Sequence, residues 1–528
     1  LVGFFMIMAD QLENRTAIGA GKAIETLIRA TPGQVHLIQE DGEIQELPTE
    51  DLKVSQLIQV RPGEVLPIDG IIHEGESSFD ESSITGESIP VDKNKNGAVY
   101  AGTTNLTGVI SVKVEKCGED TTVGKVKKLI YSAADSKLPV MSIIEKNAGW
   151  YTPLIVMLAA VVYFVQREEP DALSRAITIL IIACPCSLIL ATPSVMIAAI
   201  TAAARAGVLI KNVVNLEHFH QVEHIFFDKT GTLTKGEMTL EKMSPLGEKN
   251  KARLLQVAGS IASGSNHPNA KGVHQAMLKA NIHPLPVSQV SEIHGKGMKA
   301  QHNDDEYFMG RPEWVKEQCN TNDAHAIDSG TCMALGSKSL GLLGIFYLSD
   351  QLRQDAANSL DELKKYGIKQ CSLLTGDAWE PARKAAKELK LDQVFAKCLP
   401  EQKLEQLQLS KNAGYKTAVV GDGINDAPIL AASDVGIAMG ALGSQVAIES
   451  ASITLMSSNM DRLPFLHRLS RSTRILIWTN MAIGVSVLIL GLFFSVLGIV
   501  SPVLAAIIHN VSALIILFNS ARLVKMTP

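Results

Sequence analysis

Four long apolar runs constrain the fold of this chain more than any other feature of its sequence. They cover residues 149–166, 172–204, 475–500 and 502–518. Each is close to, or longer than, the roughly 20 residues that a helix needs to cross a lipid bilayer. Helices buried in a soluble core would be the alternative, but such cores seldom need apolar runs of this length. We therefore predict four membrane-spanning helices, and residues 1–9 have the composition of the end of a fifth.

Basic residues gather at one end of the predicted helices. They lie after the second run, before the third and after the fourth: Arg205, Lys211, Arg462, Arg468, Arg471, Arg474, Arg522 and Lys525. The connection at 167–171, on the opposite side, is net acidic. Because Lys and Arg concentrate in cytoplasmic loops, we expect an integral protein of a bacterial cell (inner) membrane, with its catalytic domains in the cytoplasm. The net charge of −5 argues against nucleic acid as a partner.

Two soluble modules lie between the apolar runs, as expected for a chain of 528 residues that is too long for a single core. Residues 33–135 are rich in β-strand patterns separated by Gly and Pro turns. The second module covers 215–238 and 344–460, where acidic loops follow apolar strands, as in a doubly wound α/β sheet. An insertion at 239–343, with small strands and helices of its own, interrupts this module.

A carboxylate lies at the carboxyl end of a predicted buried strand in the second module. Asp228 directly follows the apolar residues 225–227 and begins the run Asp228 to Thr234. A carboxylate in this position can take a phosphoryl group from ATP. An aspartate-based phosphatase would carry its general acid two positions later, but Thr230 cannot shuttle a proton near neutral pH. The aspartyl phosphate should therefore persist, which suits a machine that changes shape between phosphorylation and hydrolysis.

Two further acidic loops follow apolar strand patterns in the same module. One is Thr375-Gly376-Asp377, and the other runs from Gly421 to Pro428. Such loops gather at the carboxyl edge of a doubly wound sheet. Asp422 and Asp426 could join Asp228 there in holding Mg²⁺ against a phosphate.

Two other charged residues complete the predicted chemistry. Lys403 is a natural counter-charge for phosphate oxygens. Glu87 lies in the loop Thr85-Gly86-Glu87-Ser88 of the β-rich module and could arrive later to activate water.

Cys184-Pro185-Cys186 lies within the second apolar run. The proline removes an N–H and frees a carbonyl, so the helix should open in mid-membrane between the two cysteines. Sulfur ligands at this depth select thiophilic ions such as Cu⁺, Zn²⁺, Cd²⁺ or Co²⁺. Two packed cysteines around a proline kink are the structural alternative.

These runs, in this order, resemble the P-type ATPases, and Cys184-Pro185-Cys186 resembles the membrane signature of the heavy-metal (type IB) branch. The family's phosphorylation signature matches Asp228 to Thr234, and its dephosphorylation and hinge motifs match 85–88, 375–377 and 421–428. The resemblance implies a multidomain membrane protein. Its parts would be an α-helical transmembrane bundle, a β-rich actuator domain, a HAD-like α/β phosphorylation domain and an inserted α+β nucleotide-binding domain, with ATP as substrate and Mg²⁺ as cofactor.

The resemblance also implies roles for individual residues. The catalytic set would be Thr85, Gly86, Glu87, Asp228, Lys229, Thr230, Thr375, Gly376, Asp377, Lys403 and Asn425, with Mg²⁺ at Asp228, Thr230, Asp422 and Asp426. In the insertion, the family's nucleotide motifs match His267 and Pro268, and Gly295 and Gly297. Relatives usually carry an adenine-gripping glutamate where this chain has Ala262, so nucleotide affinity is expected to be weaker or differently arranged.

The sequence constrains the identity of the transported metal less than it constrains the phosphorylation chemistry. His509, Asn510 and Ser512 put an imidazole, an amide and a hydroxyl on about one turn of the last apolar run. The patterns usual for copper exporters and for zinc and cadmium exporters are absent, and His509-Asn510 resembles a neutral variant of the His-Glu pair of the cobalt-type branch. We expect a divalent ion, with Cu⁺ as the alternative. His509 as a hydrogen-bonding residue at a helix interface also stays open.

The predicted function is ATP-driven export of a transition-metal ion through an aspartyl phosphate, with a metal-delivering chaperone as a possible partner. Two other classes stay open: a HAD-type phosphatase, and a silent metal-binding membrane fragment. The chain begins at Leu1 inside an apolar segment. It resembles an amino-terminally truncated member of a family with eight spans, lacking three spans, most of a fourth and any amino-terminal metal-binding domain.

Overall fold

The computed structural model divides the chain into two compact units. The first comprises Leu1–Glu223, Glu362–Ile368 and Ser410–Pro528, and the second comprises His224–Asp361 and Lys369–Leu409. The structure describes residues 32–39, 42–81, 90–124, 139–184, 186–246, 250–265, 267–293, 296–303, 305–320, 331–422, 426–440 and 449–528, without the side chains of residues 139–149, 152, 186 and 187. The predicted helix end at 1–9 lies outside the described residues.

The first unit begins with a β-rich domain of nine strands. They are β1 Gln34–Ile38, β2 Ile44–Pro48, β3 Leu57–Val60, β4 Asp69–Glu74, β5 Ser77–Asp80, β6 Val91–Lys93, β7 Ala98–Val99, β8 Thr104–Asn105 and β9 Ile110–Lys116. One antiparallel sheet has the order β2-β1-β3-β9-β4-β7, and a smaller sheet has the order β6-β5-β8. Alternate residues of β9 are buried, so Ile110, Val112 and Val114 join Ile58 and Phe79 in the core.

Three apolar helices follow in the first unit: α1 Pro139–Val165, α2 Ala172–Ile182 and α3 Cys186–Arg205. The helix that the sequence predicts at 172–204 is therefore divided into α2 and α3 at the Cys-Pro-Cys segment. The short strand β10 Val208–Ile210 and helix α4 Val213–Phe219 come next. Asn212 caps α4 by accepting a hydrogen bond from the backbone N–H of Val214.

The second unit contains two sheets. Its strands are β11 His224–Asp228, β12 Thr234–Pro245, β13 Ser288–Ile293, β14 Gly297–His302, β15 Asp305–Gly310, β16 Thr331–Ser337, β17 Gly341–Leu352, β18 Gln370–Leu374 and β19 Gln393–Phe395. Its helices are α5 Lys251–Ala262, α6 Pro268–Lys279, α7 Pro312–Gln318, α8 Ala356–Lys365, α9 Trp379–Glu388 and α10 Pro400–Asn412, of which α8 and α10 extend past the boundary of the unit.

The insertion folds as a six-stranded antiparallel sheet in the order β12-β17-β16-β15-β14-β13. Helices α5 and α6 cover this sheet through an apolar core that includes Ala258, Val273, Met277 and Phe346. The remaining strands of the unit, β11, β18 and β19, pair in parallel. Parallel strands that are covered on both faces read as continuous apolar runs, which explains the buried segment Ile225-Phe226-Phe227.

The first unit resumes with β20 Thr417–Gly421, α11 Ala427–Ala432, β21 Val435–Ala438, β22 Ile453–Leu455, α12 Arg462–Val496 and α13 Pro502–Ala521. Strands β20, β21 and β22 pair in parallel, and β10 pairs with β22 in antiparallel orientation. Helix α12 begins thirteen residues before the apolar run predicted at 475–500, and these first turns are largely buried. His467 of α12 stacks on Tyr366 and meets Phe219 edge to face.

Three described helical segments are long and apolar enough to cross a membrane by length and composition: Leu188–Arg205, Arg462–Val496 and Pro502–Lys525. Two shorter apolar helical segments are Pro153–Val165, which is part of α1, and Ala172–Ile182, which is α2. Large apolar side chains on their outer faces are exposed, among them Phe164, Trp478 and Phe518. An apolar surface of this extent is unusual for a soluble domain.

Candidate active site

Asp228 is the last residue of β11, and its side chain is fixed from two sides. One carboxylate oxygen, Oδ1, accepts a hydrogen bond from the Nζ of Lys403 at 2.7 Å. The other oxygen, Oδ2, accepts from the backbone N–H of Thr230 at 3.1 Å. The carboxylate is 15% exposed, so the preceding buried strand holds it at a surface where a substrate can reach it. An ionised carboxylate held in this way is a nucleophile with a defined orientation.

Lys403 lies in the first turn of α10, where the helix start at Pro400 sets its position. Its side chain is only 13% exposed. A lysine ammonium in this position pairs with the carboxylate and is the kind of donor that binds phosphate oxygens. The structure thus brings together two residues that are 175 positions apart in the sequence.

The loop Thr375-Gly376-Asp377 lies beside Asp228, because β18 pairs in parallel with β11 and places Leu374 opposite Asp228. The carboxylate of Asp377 forms an ion pair with Lys229. The backbone N–H of Asp377 donates to the hydroxyl of Thr375 at 3.1 Å. Lys229, Thr375 and Asp377 therefore lie at the edge of the sheet that carries Asp228.

Asp350 and Arg353 support the loop that follows Asp228, and the sequence analysis missed both. Arg353 donates from Nε to the carbonyl of Thr232 at 2.9 Å, and from Nη2 to the carbonyl of Gly231 at 3.1 Å. Asp350 accepts from the hydroxyl of Thr234 at 2.6 Å, and burial raises the pKa of its carboxyl group. The signal in the sequence was an acidic and a basic residue three positions apart at the end of an apolar strand.

Asp422 and Asp426 belong to the first unit. Asp422 follows the fully buried strand β20, and Asp426 is 3% exposed at the start of α11. A Cβ at Gly421 would lie 2.7 Å from Oδ2 of Asp426, so only glycine lets this strand end pass so close to the carboxylate. Asn425 lies outside the described residues.

The donor chemistry of the predicted magnesium site suits that ion, because Asp228, Thr230, Asp422 and Asp426 offer only oxygen atoms, which Mg²⁺ prefers. The structure describes Asp228 and Asp422 within their separate units. In the described part of the chain, no three His, Cys, Asp or Glu side chains form a group that could hold a metal ion.

Thr85, Gly86 and Glu87 lie outside the described residues, but the strands on both sides of their loop are described. Strands β5 and β6 pair in antiparallel orientation with Lys93 opposite Ser77, and the side chain of Lys93 forms an ion pair with Glu81, which follows β5. Both side chains are nearly buried, at 7% and 12% exposure, and Lys93 also donates to the carbonyl of Ala98 at 2.7 Å. The ion pair therefore links the residue that follows β5 to the last residue of β6.

His267 caps the amino terminus of α6. Its Nδ1 accepts a hydrogen bond from the backbone N–H of Asn269 at 3.2 Å, and Pro268 occupies the first helical position. A neutral ring that accepts at Nδ1 carries its proton on Nε2 and can donate there. The backbone N–H of His267 donates to Ser265, whose hydroxyl donates to Glu292 of β13 at 3.0 Å. A carboxylate therefore lies beside the His267 turn.

Gly297 is required by packing within the protein. A Cβ at this position would lie 2.4 Å from the carbonyl oxygen of Met309 and 2.6 Å from the Cα of Gly310. The close approach of β14 to β15 thus accounts for this glycine, a reason that the sequence analysis did not consider. Gly295 lies outside the described residues. Ala262 is 1% exposed in the core beneath the sheet, so Glu292 is the acidic residue to consider near His267.

The break in the second apolar run lies between Ile182 and Cys186. Tyr151 of α1 donates from its hydroxyl to the carbonyl of Ala183 at 2.6 Å, the residue before Cys184. This contact satisfies a backbone group that the proline-interrupted helix leaves without a helical partner. Cys184 is half-buried and disulfide-bonded in the structure, and the side chain of Cys186 is not described.

His509, Asn510 and Ser512 lie in the middle of α13. Asn510 donates to the carbonyl of Ala506 at 2.8 Å, and the buried Ser512 donates to the carbonyl of His509 at 2.7 Å. These local bonds use hydrogen-bond donors, not the oxygen lone pairs with which an amide or a hydroxyl would bind a metal. His509 is half-buried, and imidazole suits transition-metal ions better than neutral oxygen ligands do, so it is the strongest of the three candidates.

Buried polar side chains also connect α3, α12 and α13. Asn480 is fully buried, donates to Ser520 at 3.0 Å and accepts from Asn519 at 2.8 Å. The hydroxyls of Ser520 and Ser194 are 2.9 Å apart. Ser486, another polar residue of the third apolar run, is exposed. The network fixes these three helices to each other with neutral hydrogen bonds.

His224, at the start of β11, provides a test of stability against pH. Burial lowers the pKa of His224 from 6.5 to about 4, and its Nε2 lies 2.7 Å from the hydroxyl of Ser372. The unfolded chain binds a proton below about pH 6.5, whereas the folded chain does so only below about pH 4. The unfolded state thus holds more protons in this window, so this contribution to stability is lost as the pH falls from 6.5 towards 4.

We expect this histidine to contribute up to about 3 kcal/mol to the pH dependence of unfolding. Thermal unfolding is followed by fluorescence at pH 7.5 and at pH 5.0. The decrease in Tm from pH 7.5 to pH 5.0 should be smaller for His224→Gln than for the wild type. His73→Gln, at an exposed histidine, is the control and should behave as the wild type does. An unchanged pH dependence in His224→Gln would refute the prediction.

Comparison with known proteins gives two matching family models. Residues 29–131 match the P-type ATPase actuator domain. Residues 222–434 match the haloacid dehalogenase-like hydrolases.

The chain is similar to relatives over nearly its whole length. It is 31% identical to a cadmium-transporting ATPase of Staphylococcus aureus, covering 100% of this chain and 74% of the relative. It is 34% identical to a copper-exporting P-type ATPase B of Archaeoglobus fulgidus, covering 98% of this chain and 76% of the relative. A solved structure of a zinc-transporting PIB-type ATPase in the E2.Pi state superposes with a TM-score of 0.65 at 29% identity, covering 99% of this chain and 87% of that one.

Proposed function

The chain belongs to the heavy-metal P-type ATPases, and from that premise we propose that it exports a divalent ion of the Zn²⁺ and Cd²⁺ type with Asp228 as the phosphorylated residue. It is an ATP-hydrolysing ion-transport enzyme, and its substrate is a transition-metal ion. The expected fold class is confirmed. The observation that most supports Asp228 is the hydrogen bond from Lys403 to its carboxylate at the end of a buried strand.

Phosphorylation is assigned to the carboxylate of Asp228. Lys403 orients the Asp228 carboxylate, and an oxygen of that carboxylate attacks the γ-phosphorus of ATP. A bond between Asp228 and phosphorus forms, the bond to the β–γ bridging oxygen breaks, and ADP leaves with that electron pair. Asp228, Thr230, Asp422 and Asp426 would hold Mg²⁺, which when bound neutralises charge on the phosphate oxygens. Thr230 cannot act as an acid, so the aspartyl phosphate persists.

Hydrolysis is assigned to the loop of the β-rich domain. Glu87 takes a proton from a water whose oxygen attacks the phosphorus. The bond to Asp228 then breaks, phosphate leaves, and the carboxylate is restored. The run Thr85-Gly86-Glu87-Ser88 in the domain that matches the P-type ATPase actuator model supports this assignment.

Nucleotide binding is assigned to the insertion. His267 would donate from Nε2 to the nucleotide, with Pro268 fixing the turn. Glu292, held by Ser265, would supply the carboxylate that relatives carry at the position of Ala262.

The transported ion is assigned to Cys184 and Cys186, with His509 as the third ligand. Thiolates and imidazole suit Zn²⁺ and Cd²⁺, and also Cu⁺. Metal binding requires both sulfurs in reduced form, so assays need a reductant. The enzyme is proposed to lie in a bacterial inner membrane, with lipid around its apolar helices and its catalytic domains in the cytoplasm. A metal-delivering chaperone would be a further partner.

Transport can be tested with inverted membrane vesicles that contain the full-length protein. ATP should drive accumulation of Zn²⁺ or Cd²⁺, and vanadate, an analogue of the transferred phosphate, should stop it. Accumulation of Cu⁺ alone would establish the alternative substrate. Hydrolysis of small phosphate esters without any accumulation of metal would favour a phosphatase and contradict the proposal. Metal binding without ATP hydrolysis would point to a silent membrane fragment.

Tyr151→Phe tests the support of the metal site. The substitution removes only the hydroxyl that donates to the carbonyl of Ala183. We expect the metal concentration for half-maximal phosphoenzyme to rise about fivefold, as for the loss of one hydrogen bond, with little change at saturating metal. Tyr163→Phe, at an exposed tyrosine of the same helix, is the control. Equal metal dependence in both variants and the wild type would show that the hydroxyl plays no part.

A further inference from the structure

Arg175 is the one charged residue of α2, a helix whose other residues are apolar or small and uncharged. Its side chain is only 20% exposed, although an arginine at the end of a membrane helix can normally extend towards the headgroups. Its Nε is buried and has no hydrogen-bond partner among the described residues. Neither the phosphorylation chemistry nor the proposed metal ligands require a positive charge at this place.

Segments from several helices hold this side chain. Nη1 of Arg175 donates to Oε1 of Gln166, just after α1, at 2.9 Å, and Nη2 lies 4.0 Å from Glu169. The side chain of Gln166 donates in turn to the carbonyl of Val496, at the end of α12, at 3.2 Å. We call the group formed by Arg175, Gln166, the carbonyl of Val496 and Gly498 the outer clasp.

Gly498 is in the clasp because the turn between α12 and α13 packs directly on the guanidinium. Its φ is +74°, and a Cβ at this position would lie 2.5 Å from Nε and 2.7 Å from Cζ of Arg175. Glycine is favoured by this backbone conformation, and a Cβ here would displace the guanidinium. The carboxyl end of α12 also carries the negative end of the helix dipole, which favours a cation there.

The outer clasp lies at one end of the helix that leads to the proposed metal site. Arg175 precedes Cys184 by nine residues, which is about 14 Å along a helix. Between them, Ile182 packs with Val500 and Ala505 in an apolar cluster. An ion that left Cys184 along α2 towards this end would meet this apolar cluster first and the positive charge of Arg175 after it.

We propose that the outer clasp is the closed outer gate of the ion path, and that the charge of Arg175 opposes the return of released metal. This inference rests on the proposed transport function. Release requires Arg175 to separate from Gly498 and Gln166, which are two of the contacts that α2 makes with the segments following α12 and α1. A fixed charge in a site of low dielectric repels a divalent cation far more strongly than it would in water.

The test uses the full-length protein in vesicles, with the catalytic domains facing the bath and Zn²⁺ loaded into the lumen. ATP hydrolysis is measured against the concentration of Zn²⁺ in the lumen and, separately, in the bath. For Arg175→Gln we expect half-inhibition at about tenfold lower lumenal Zn²⁺, because the repelling charge is gone. Activation by Zn²⁺ in the bath should stay unchanged. Gly498→Ala, which forces a Cβ against the guanidinium, should shift lumenal inhibition in the same direction.

Arg167→Gln is the matched control, because Arg167 is an exposed positive charge in the connection next to Gln166. An equal shift in Arg167→Gln would overturn the proposal in favour of a general surface-charge effect. Slower ATP hydrolysis by Arg175→Gln with unchanged lumenal inhibition would overturn it in favour of a purely structural role. A wild-type protein whose ATP hydrolysis ignores every metal would refute the transport function itself, and this result is recognised without any variant.

Discussion

Asp228→Asn is expected to abolish the phosphoenzyme and to reduce metal-dependent ATP hydrolysis by about 10⁴-fold or more, because an amide oxygen cannot replace a carboxylate nucleophile. The substitution keeps the size of the side chain and a possible acceptor for Lys403, whose Nζ lies 2.7 Å from the native carboxylate. Folding and nucleotide binding should therefore be preserved. The measurement is acid-stable label from γ-labelled ATP together with release of phosphate.

Asp361→Asn is a suitable control for this variant. Asp361 is an exposed carboxylate of α8, 3.6 Å from Lys390, and takes no part in the proposed chemistry. Its variant should retain wild-type labelling. Acid-stable label that persists in Asp228→Asn would contradict the assignment of the nucleophile.

Joint replacement of Cys184 and Cys186 by Ala is expected to remove the response to metal. Two thiolates supply most of the selectivity for soft ions, so the concentration of metal that triggers phosphorylation should rise about 100-fold or more. Phosphorylation of the same variant from inorganic phosphate, which does not require bound metal, should be retained. The level of phosphoenzyme is measured against the concentration of free metal under reducing conditions. The metal content of the purified protein is measured directly as well.

Cys117→Ala provides the control for the cysteine variant. Cys117 is a free, half-buried thiol at the edge of the β-rich domain. Its loss should change neither metal content nor labelling. Wild-type metal content in the double variant would show that the ion is held elsewhere.

The sequence predicts those parts of this protein that depend on local pattern. Asp228 follows three consecutive apolar residues, and such a run indicates a buried parallel strand with its carboxyl end at the site. The proline between Cys184 and Cys186 indicates a helix break, and the structure ends α2 at Ile182. The membership of the family and its fold class, both expected from the motifs, are confirmed by the comparisons.

Contacts between distant segments could not be predicted in this way. Arg353 supports carbonyls of residues more than 120 positions earlier, and Tyr151 reaches the carbonyl of Ala183 from another helix. No periodicity in the sequence encodes such a contact, because it depends on how the elements pack. The local bonds of polar residues within helices are likewise visible only in the structure: Asn510 and Ser512 donate to carbonyls of their own helix.

Arg175 and Glu292 illustrate the same limit. Arg175 reads as an ordinary charge at a helix end, and only its contacts with Gln166 and Gly498 give it a specific place. Glu292 lies 27 residues after Ser265, to which it is hydrogen-bonded. In both cases the residue type was visible in the sequence, but the partner was not.

Phosphoenzyme formation by the wild-type protein, titrated with Zn²⁺, Cd²⁺, Co²⁺, Mn²⁺ and Cu⁺ under reducing conditions, tests the central claim most directly. The account predicts acid-stable label from γ-labelled ATP that rises with Zn²⁺ or Cd²⁺ and is absent when every ion is chelated. Label that forms to the same level without any transition metal would contradict it, because phosphorylation of Asp228 would then not be coupled to the ion.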